Sequence, residues 1–450
     1  MRAAAIALVA SAPVAAQNAS TRCSMDSQRM SADSTPGVGQ VGFAGGTVVI
    51  RCPARGIVLR GDSAERYPDH DQMIGHAAFD EPRFHVTSNF LNYFPATDIV
   101  RAVGDVHAQL PNGSTLIGPV AEYRREIARV RHRQVLAIAR PTINIVQRDS
   151  TKKATDTTVV VANQIFMDGD SLIYAGGQVL ITRPDVATTS DSAFIDQPHD
   201  VMHLITRPTL KGRRQKPFSL TGELIDLYSK NHKVERVISR SNAVALSDSM
   251  TLKADTIDLR VRNDVLDHAY AWGTKDRARV ISANQNVLAD SLDVLMPGQK
   301  IQLVRALRKA FAQGKPDTTR FRTEGADSTD WLRGDTIVAH FDSVAPRDTS
   351  KTPAITLLVS SGHASSLYHI AASDSAEKRP AINYVDARTI TIHFEHQRVA
   401  TVTAVDSVHG IYIDPKADST TRPKPSGGPP AKRPTTAKPP VPVAGLLKPQ

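Results

Sequence analysis

The feature that most constrains this chain is a short unit that recurs about every thirty residues and breaks its own alternation each time. The unit is a small residue, then Asp, Asn or Glu, then usually a small or polar residue, then apolar-x-apolar. It appears as Ala254-Asp255-Thr256-Ile257-Asp258-Leu259, as Ala289-Asp290-Ser291-Leu292-Asp293-Val294 and as Gly334-Asp335-Thr336-Ile337-Val338-Ala339. Looser copies begin at Ser88, Ala162, Ser190 and Gly222, and the polar positions 163, 191, 223, 255 and 290 are 28, 32, 32 and 35 residues apart. A second unit lies between these: a Gly- or Asn-centred turn followed by an alternating strand, as in Gly104-Asp105-Val106, Gly176-Gly177-Gln178-Val179 and Ser241-Asn242-Ala243-Val244. Each repeat therefore holds two short strands joined by turns, and a fixed period of this size marks a stacked architecture.

The phase of the first unit is informative. In Leu252 to Leu259 the apolar positions are 252 and 254, then 257 and 259, so the period of two skips at Asp255-Thr256. A strand that keeps its apolar face inward across such a skip needs a bulge or a corner there. A short polar side chain suits that corner because it can bond backbone locally. The recurrent acid is better explained as a corner residue than as a catalyst.

Alternation names the inward positions: Ile225, Leu227, Ile257, Leu259, Leu292, Val294, Ile337 and Phe341. One segment breaks the β pattern. Ile301, Val304, Leu307 and Phe311 fall on one helical stripe with Lys300, Arg305, Arg308 and Lys309 around it, and Gly314 and Pro316 stop it. An amphipathic helix near 299–313, inserted between two β units, is expected.

The flanks differ from this body. Met1-Arg2, the apolar run to Ala12 and the small residues Val14-Ala15-Ala16 read as a secretory signal over 1–16. Residues 17–45 are a polar arm, and 46–414 carry the β signals. From 415 to 450 there are ten prolines and seven Lys/Arg against one Asp, which accounts for +6 of the total charge of +10. Such a tail has too little apolar surface to offset its ordering entropy and is expected to be disordered. The body is only mildly basic and poor in aromatics, which argues against nucleic acid as a partner. The two cysteines, Cys23 and Cys52, either pair and staple the arm to the first strands or stay free, and the sequence leaves both open.

The alternating units resemble the OstA-like domain, the family of the LptA bridge of lipopolysaccharide transport, over roughly residues 55–412. The resemblance implies an all-β fold: an elongated, open β-jelly roll of stacked, twisted antiparallel strands. It implies a periplasmic, non-enzymatic protein that shields the acyl chains of lipopolysaccharide or a similar glycolipid and bridges toward the outer membrane. It also implies edge-strand pairing with other OstA-like envelope transport proteins, or self-association. The eight inward residues are then candidates to line a lipid groove. Two features depart from the pattern. The body is about twice as long as a simple bridge protein, and no alternating ten-residue segments of a membrane barrel follow it.

Other chemistry lacks a signature. There is no Gly-x-Ser-x-Gly, phosphate loop, His-Glu-x-x-His or Cys-x-x-Cys, so no catalytic residue, metal or cofactor is assigned. His393, Glu395 and His396 split between two strand faces, and Asp69-His70-Asp71 reads as a polar turn. The competing reading is an exported structural or adhesive β-solenoid with a dry core, whose alternation is identical. An exported hydrolase on a β scaffold ranks below both, because no nucleophile and base stand out.

Overall fold

The computed structural model describes residues 23–148, 154–213, 218–247, 250–282, 285–316, 329–342, 353–371, 379–395 and 398–415. The expected signal over 1–16 and the tail beyond Pro415 lie outside them. Among the described residues thirty strands belong to one antiparallel sheet. It is a meander: Phe84–Phe94 pairs with Asp71–Glu81 and with Ile99–Gln109, and the chain proceeds in this way to Arg398–Val405 and His409–Ile413. The fold is all-β and jelly-roll-like, as expected. The stretch read as a polar arm holds Ser24–Asp26, Arg29–Thr35 and the start of Gly39–Cys52.

Each rung bends once near its middle, and the bend divides the meander into two half-sheets. Where the bend interrupts the hydrogen bonds, the rung appears as two strands. Thr142–Arg148 pairs with the first part of Thr115–Arg124, while Gln134–Ile138 pairs with the second part. Ala154–Val161 and Gln164–Asp168 repeat this split, then rejoin on the unbroken strand Leu172–Thr182. One half-sheet, here the first, contains Thr142–Arg148 and Ala154–Val161. The second contains Gln134–Ile138 and Gln164–Asp168.

The recurrent acids sit at these bends. Most rungs alternate between a single polar residue and a pair in the left-handed region. Asp62 faces Gly75-His76, Asn89 faces Gly104-Asp105, Asp191 faces Gly177-Gln178 and Asp255 faces Ser241-Asn242. Each of these pairs has φ between +44° and +78°. The pair sets two residues opposite one, a single extra residue in that strand, so its neighbour can bend without losing register on either side. The polar side chain bonds the adjoining rung rather than its own backbone. Asp255 accepts from the backbone N–H of Thr274, Lys275 and Asp276 at 2.8, 3.0 and 3.1 Å. Asp62 meets His76 Nδ1 at 2.8 Å, and Arg207 reaches Asp191 at 3.1 Å.

The expected helix near 299–313 is not formed. Leu303–Gly314 is a strand between Ser291–Leu295 and Asp330–Phe341, preceded by a single 3-10 turn at Pro297–Gln299. Its bend is Arg308-Lys309, with φ of 63° and 49°. The one extra residue at this bend puts the inward Ala306 and Ala310 four positions apart where their partners Ile337 and Gly334 are three apart. Spacing of that kind imitates a helical stripe in what is a bent strand.

At the N-terminal end a disulfide joins Cys23 to Cys52. It ties the first edge strand, Ser24–Asp26, to the end of the strand it pairs with, Gly39–Cys52.

Candidate functional site

The two half-sheets face each other, and the apolar side chains between them form one cluster that runs from Ala44 to Ile392. Seven of the eight inward candidates belong to it and are 0–3% exposed. Register sets them in two adjacent cross-strand rows. Ile225, Ile257, Leu292 and Ile337 lie in one row, joined through Ser239, Ala271 and Ala306. Leu227, Leu259 and Val294 lie in the next, joined through Val237 and Ala269. Phe341 stands apart. It is half-buried, lies outside the cluster, and follows an irregularity in pairing at His340.

The outer face of the second half-sheet carries ion pairs opposite the same rows. His203 and Arg240 flank Asp226, Arg236 and Arg260 flank Asp258, and His268 and Arg305 flank Asp293. Asp226 and Asp258 point away from the interior yet are nearly enclosed by these partners, because the basic stems lie over the sheet.

Opposite the corner, the turns at the tips of the two half-sheets approach each other and form a mouth. Near the N-terminal end it is bridged by a connected set of side chains. Arg55, in the turn after Gly39–Cys52, donates to Tyr93 Oη at 2.7 Å, Pro95 O at 2.7 Å and Asp98 Oδ1 at 3.0 Å. Arg125, from the opposite tip, donates to Glu81 at 2.8 Å, to Asp98 at 3.1 Å and back to Arg55 O at 3.0 Å. Tyr123 also bonds Glu81. Burial and that carboxylate push its hydroxyl well above the usual phenol range, so it stays protonated and donates. Beneath this bridge the interior is filled by Phe79, Phe84, Tyr93 and Tyr123, with Phe84 and Tyr123 stacked at 3.8 Å between centroids. Alternation from single strands missed this block, because its members come from three different rungs.

Further along, two more bridges cross the mouth. Asn112 donates to Asp170 O at 3.3 Å, and Arg183 donates to Ser229 Oγ at 3.2 Å and to His232 O. Between them lies a cleft of about 660 Å³. Ile145, Ile195, Met202 and Leu227 form its apolar floor and belong to the central cluster, while Arg83, Asn112, Arg183 and His232 stand at its rim.

The sequence candidates for other chemistry are scattered. His70 bonds Asp69 at 2.8 Å and stacks on Tyr67 and Phe94. His396 is outside the described residues. Among the described residues no three His, Cys, Asp or Glu side chains gather as metal ligands, and no helix is long and apolar enough to cross a membrane.

No family model matches this chain, and no curated protein does. Among solved structures it is similar to LptH of Pseudomonas aeruginosa, the LptA-homologous periplasmic component of that organism's lipopolysaccharide transport device. The two are 13% identical with a TM-score of 0.24, over 28% of this chain and 93% of that one.

Proposed function

We propose that this chain is an exported, periplasmic binding protein of the lipopolysaccharide-transport kind, and not an enzyme. Its interior holds the acyl chains of lipopolysaccharide or a similar glycolipid, and it bridges toward the outer membrane. The observation that carries this reading is the continuity of the apolar interior between two half-sheets. Among the described residues backbone joins them only along the corner, and the mouth bridges named above are made by side chains. Such halves can part around a guest, which gains roughly 0.8 kcal/mol per methylene moved out of water. Transport direction would come from an energised partner, since the chain has no nucleotide motif.

The C-terminal end supports edge-to-edge joining. Among the described residues, Arg398–Val405 pairs only with Pro380–Glu395. Val399, Val405, Ile411 and Ile413 on the two end strands are 46–58% exposed. An apolar, unpaired edge is a template for another strand, from a second copy or a related envelope protein.

A second reading, a scaffold with a dry core, rests on the near-complete burial of the seven inward candidates. Photo-crosslinking separates the two. A photo-reactive residue at Ile257 or Leu292 should capture purified lipopolysaccharide, whereas one at Asp293 or Arg305, on the outer face, should not. Equal capture from both sets, or capture from neither, would favour the scaffold.

A further inference from the structure

The cleft between the Asn112 and Arg183 bridges has features that ordinary packing does not explain. Its floor is core: Ile145, Ile195, Met202 and Leu227 belong to the central apolar cluster yet line an opening of about 660 Å³. Thr158, which also lines it, is 3% exposed, and its hydroxyl has no hydrogen-bond partner. A buried hydroxyl left unpaired forfeits the hydrogen bonds it made to water, and an acceptor arriving with a guest in the cleft would restore one. Arg83, on the rim, is exposed and makes no ion pair or hydrogen bond among the described residues. The other rim cation, Arg183, is committed: it is 6% exposed and bonds Asp185, Ser229 and His232. Asp200 on the same rim is likewise paired, with His232 at 3.2 Å.

We infer that this cleft is a side port that takes one acyl chain of an anionic amphiphile from the flank of the molecule. The chain lies along Ile145, Met202 and Leu227, the Thr158 hydroxyl donates to an oxygen at the head end, and Arg83 meets the negative charge. The two bridges frame the port and keep the half-sheets at a fixed separation on either side of it. This rests on the reading of the interior as lipid-binding, and it adds a place of entry and a head-group charge.

The experiment uses the full chain, palmitate as the probe and a photo-reactive residue at Met202 or at Ile257. Crosslinking at Met202 is expected, and with crosslinking at Ile257 it supports both the port and the conduit. Crosslinking at Met202 alone keeps the port and removes the conduit. Crosslinking at Ile257 alone overturns the port and keeps the conduit, and crosslinking at neither overturns both. Hexadecanol, with the same chain and no charge, should bind at least tenfold more weakly; equal binding overturns the anionic head. Thr158→Val keeps the shape and removes the hydroxyl. It should weaken palmitate binding about three- to tenfold while leaving the melting temperature unchanged or raised. A lowered melting temperature with unchanged binding would make the hydroxyl structural and overturn its role.

Discussion

Gly334 shows why the recurring unit starts with a small residue. It precedes the corner acid Asp335, and a Cβ built there would overlap the Ser360 hydroxyl and lie 3.2 Å from Ser361 O. Gly222, before Glu223, meets Ser239 in the same way. The position is on the inside of the bend, where adjoining rungs crowd, so Ala or Ser is the largest residue among its copies at 88, 162, 190, 254 and 289. Gly334→Val should therefore destabilise the protein by about 1–3 kcal/mol, read as a lower urea midpoint with an unchanged slope. The acid one position later acts through its hydrogen bonds. The backbone N–H of Lys275, opposed by partial desolvation and helped by those of Asp276 and Thr274, holds the Asp255 carboxyl below the usual carboxylate range. A depressed folded-state pKa contributes stability above the unfolded value, near 4, and that stability is lost as pH falls through the folded value. Wild type should thus lose melting temperature below pH 4 more steeply than Asp255→Asn, and parallel curves would count against the hydrogen-bond account.

At the scale of elements, the mouth depends on partners far apart in the chain: Arg55 and Asp98 are 43 residues apart, and Arg125 and Glu81 are 44. Arg125 and Glu81 are only 17% and 12% exposed, so removing one leaves the other desolvated. Arg125→Leu should cost about 3 kcal/mol in chemical denaturation, and the Glu81→Leu/Arg125→Leu double variant should recover much of that. A double variant as unstable as the sum of the two singles would mean that the pair is not coupled. None of this bridge was legible from the sequence, because alternation places a residue inward or outward but says nothing of which turns meet across the mouth. Alternation did place seven inward residues, since each neighbours a corner whose skip is visible. It failed at Leu303–Gly314, where the corner is Arg308-Lys309 instead of a Gly- or Asn-containing pair. The missed signal was spacing: Lys/Arg at 308 lies 18 residues after Asp290, as Ser241 lies 18 after Glu223. Phe341, the eighth candidate, is half-buried and lies just after a register shift.

At the scale of the whole molecule, the meander makes stability nearly one-dimensional. Among the described residues each rung pairs only with the rungs beside it, so an end can fray without loosening distant rungs. The two ends are protected differently. The N-terminal edge is polar, with Arg29–Thr35 reading Arg-Met-Ser-Ala-Asp-Ser-Thr, and it is stapled by the Cys23–Cys52 disulfide across a sequence separation of 29. Closing a loop of that size removes unfolded-state entropy worth about 3–4 kcal/mol in the chain-entropy model. The C-terminal edge has no staple and exposes apolar residues, so it is the end suited to accept another strand. Reduction of the disulfide should then speed amide hydrogen exchange in the edge strands Ser24–Asp26 and Arg29–Thr35 and in their partner Gly39–Cys52. Exchange in Lys233–Ser247 and Met250–Arg262, many rungs away, should stay unchanged. The expected pattern is a local loss of protection that decays within a few rungs of Cys52. If reduction instead accelerated exchange evenly out to Pro380–Glu395, the sheet would unfold as one cooperative body, and parting of the half-sheets around a guest would have to involve the entire interior at once.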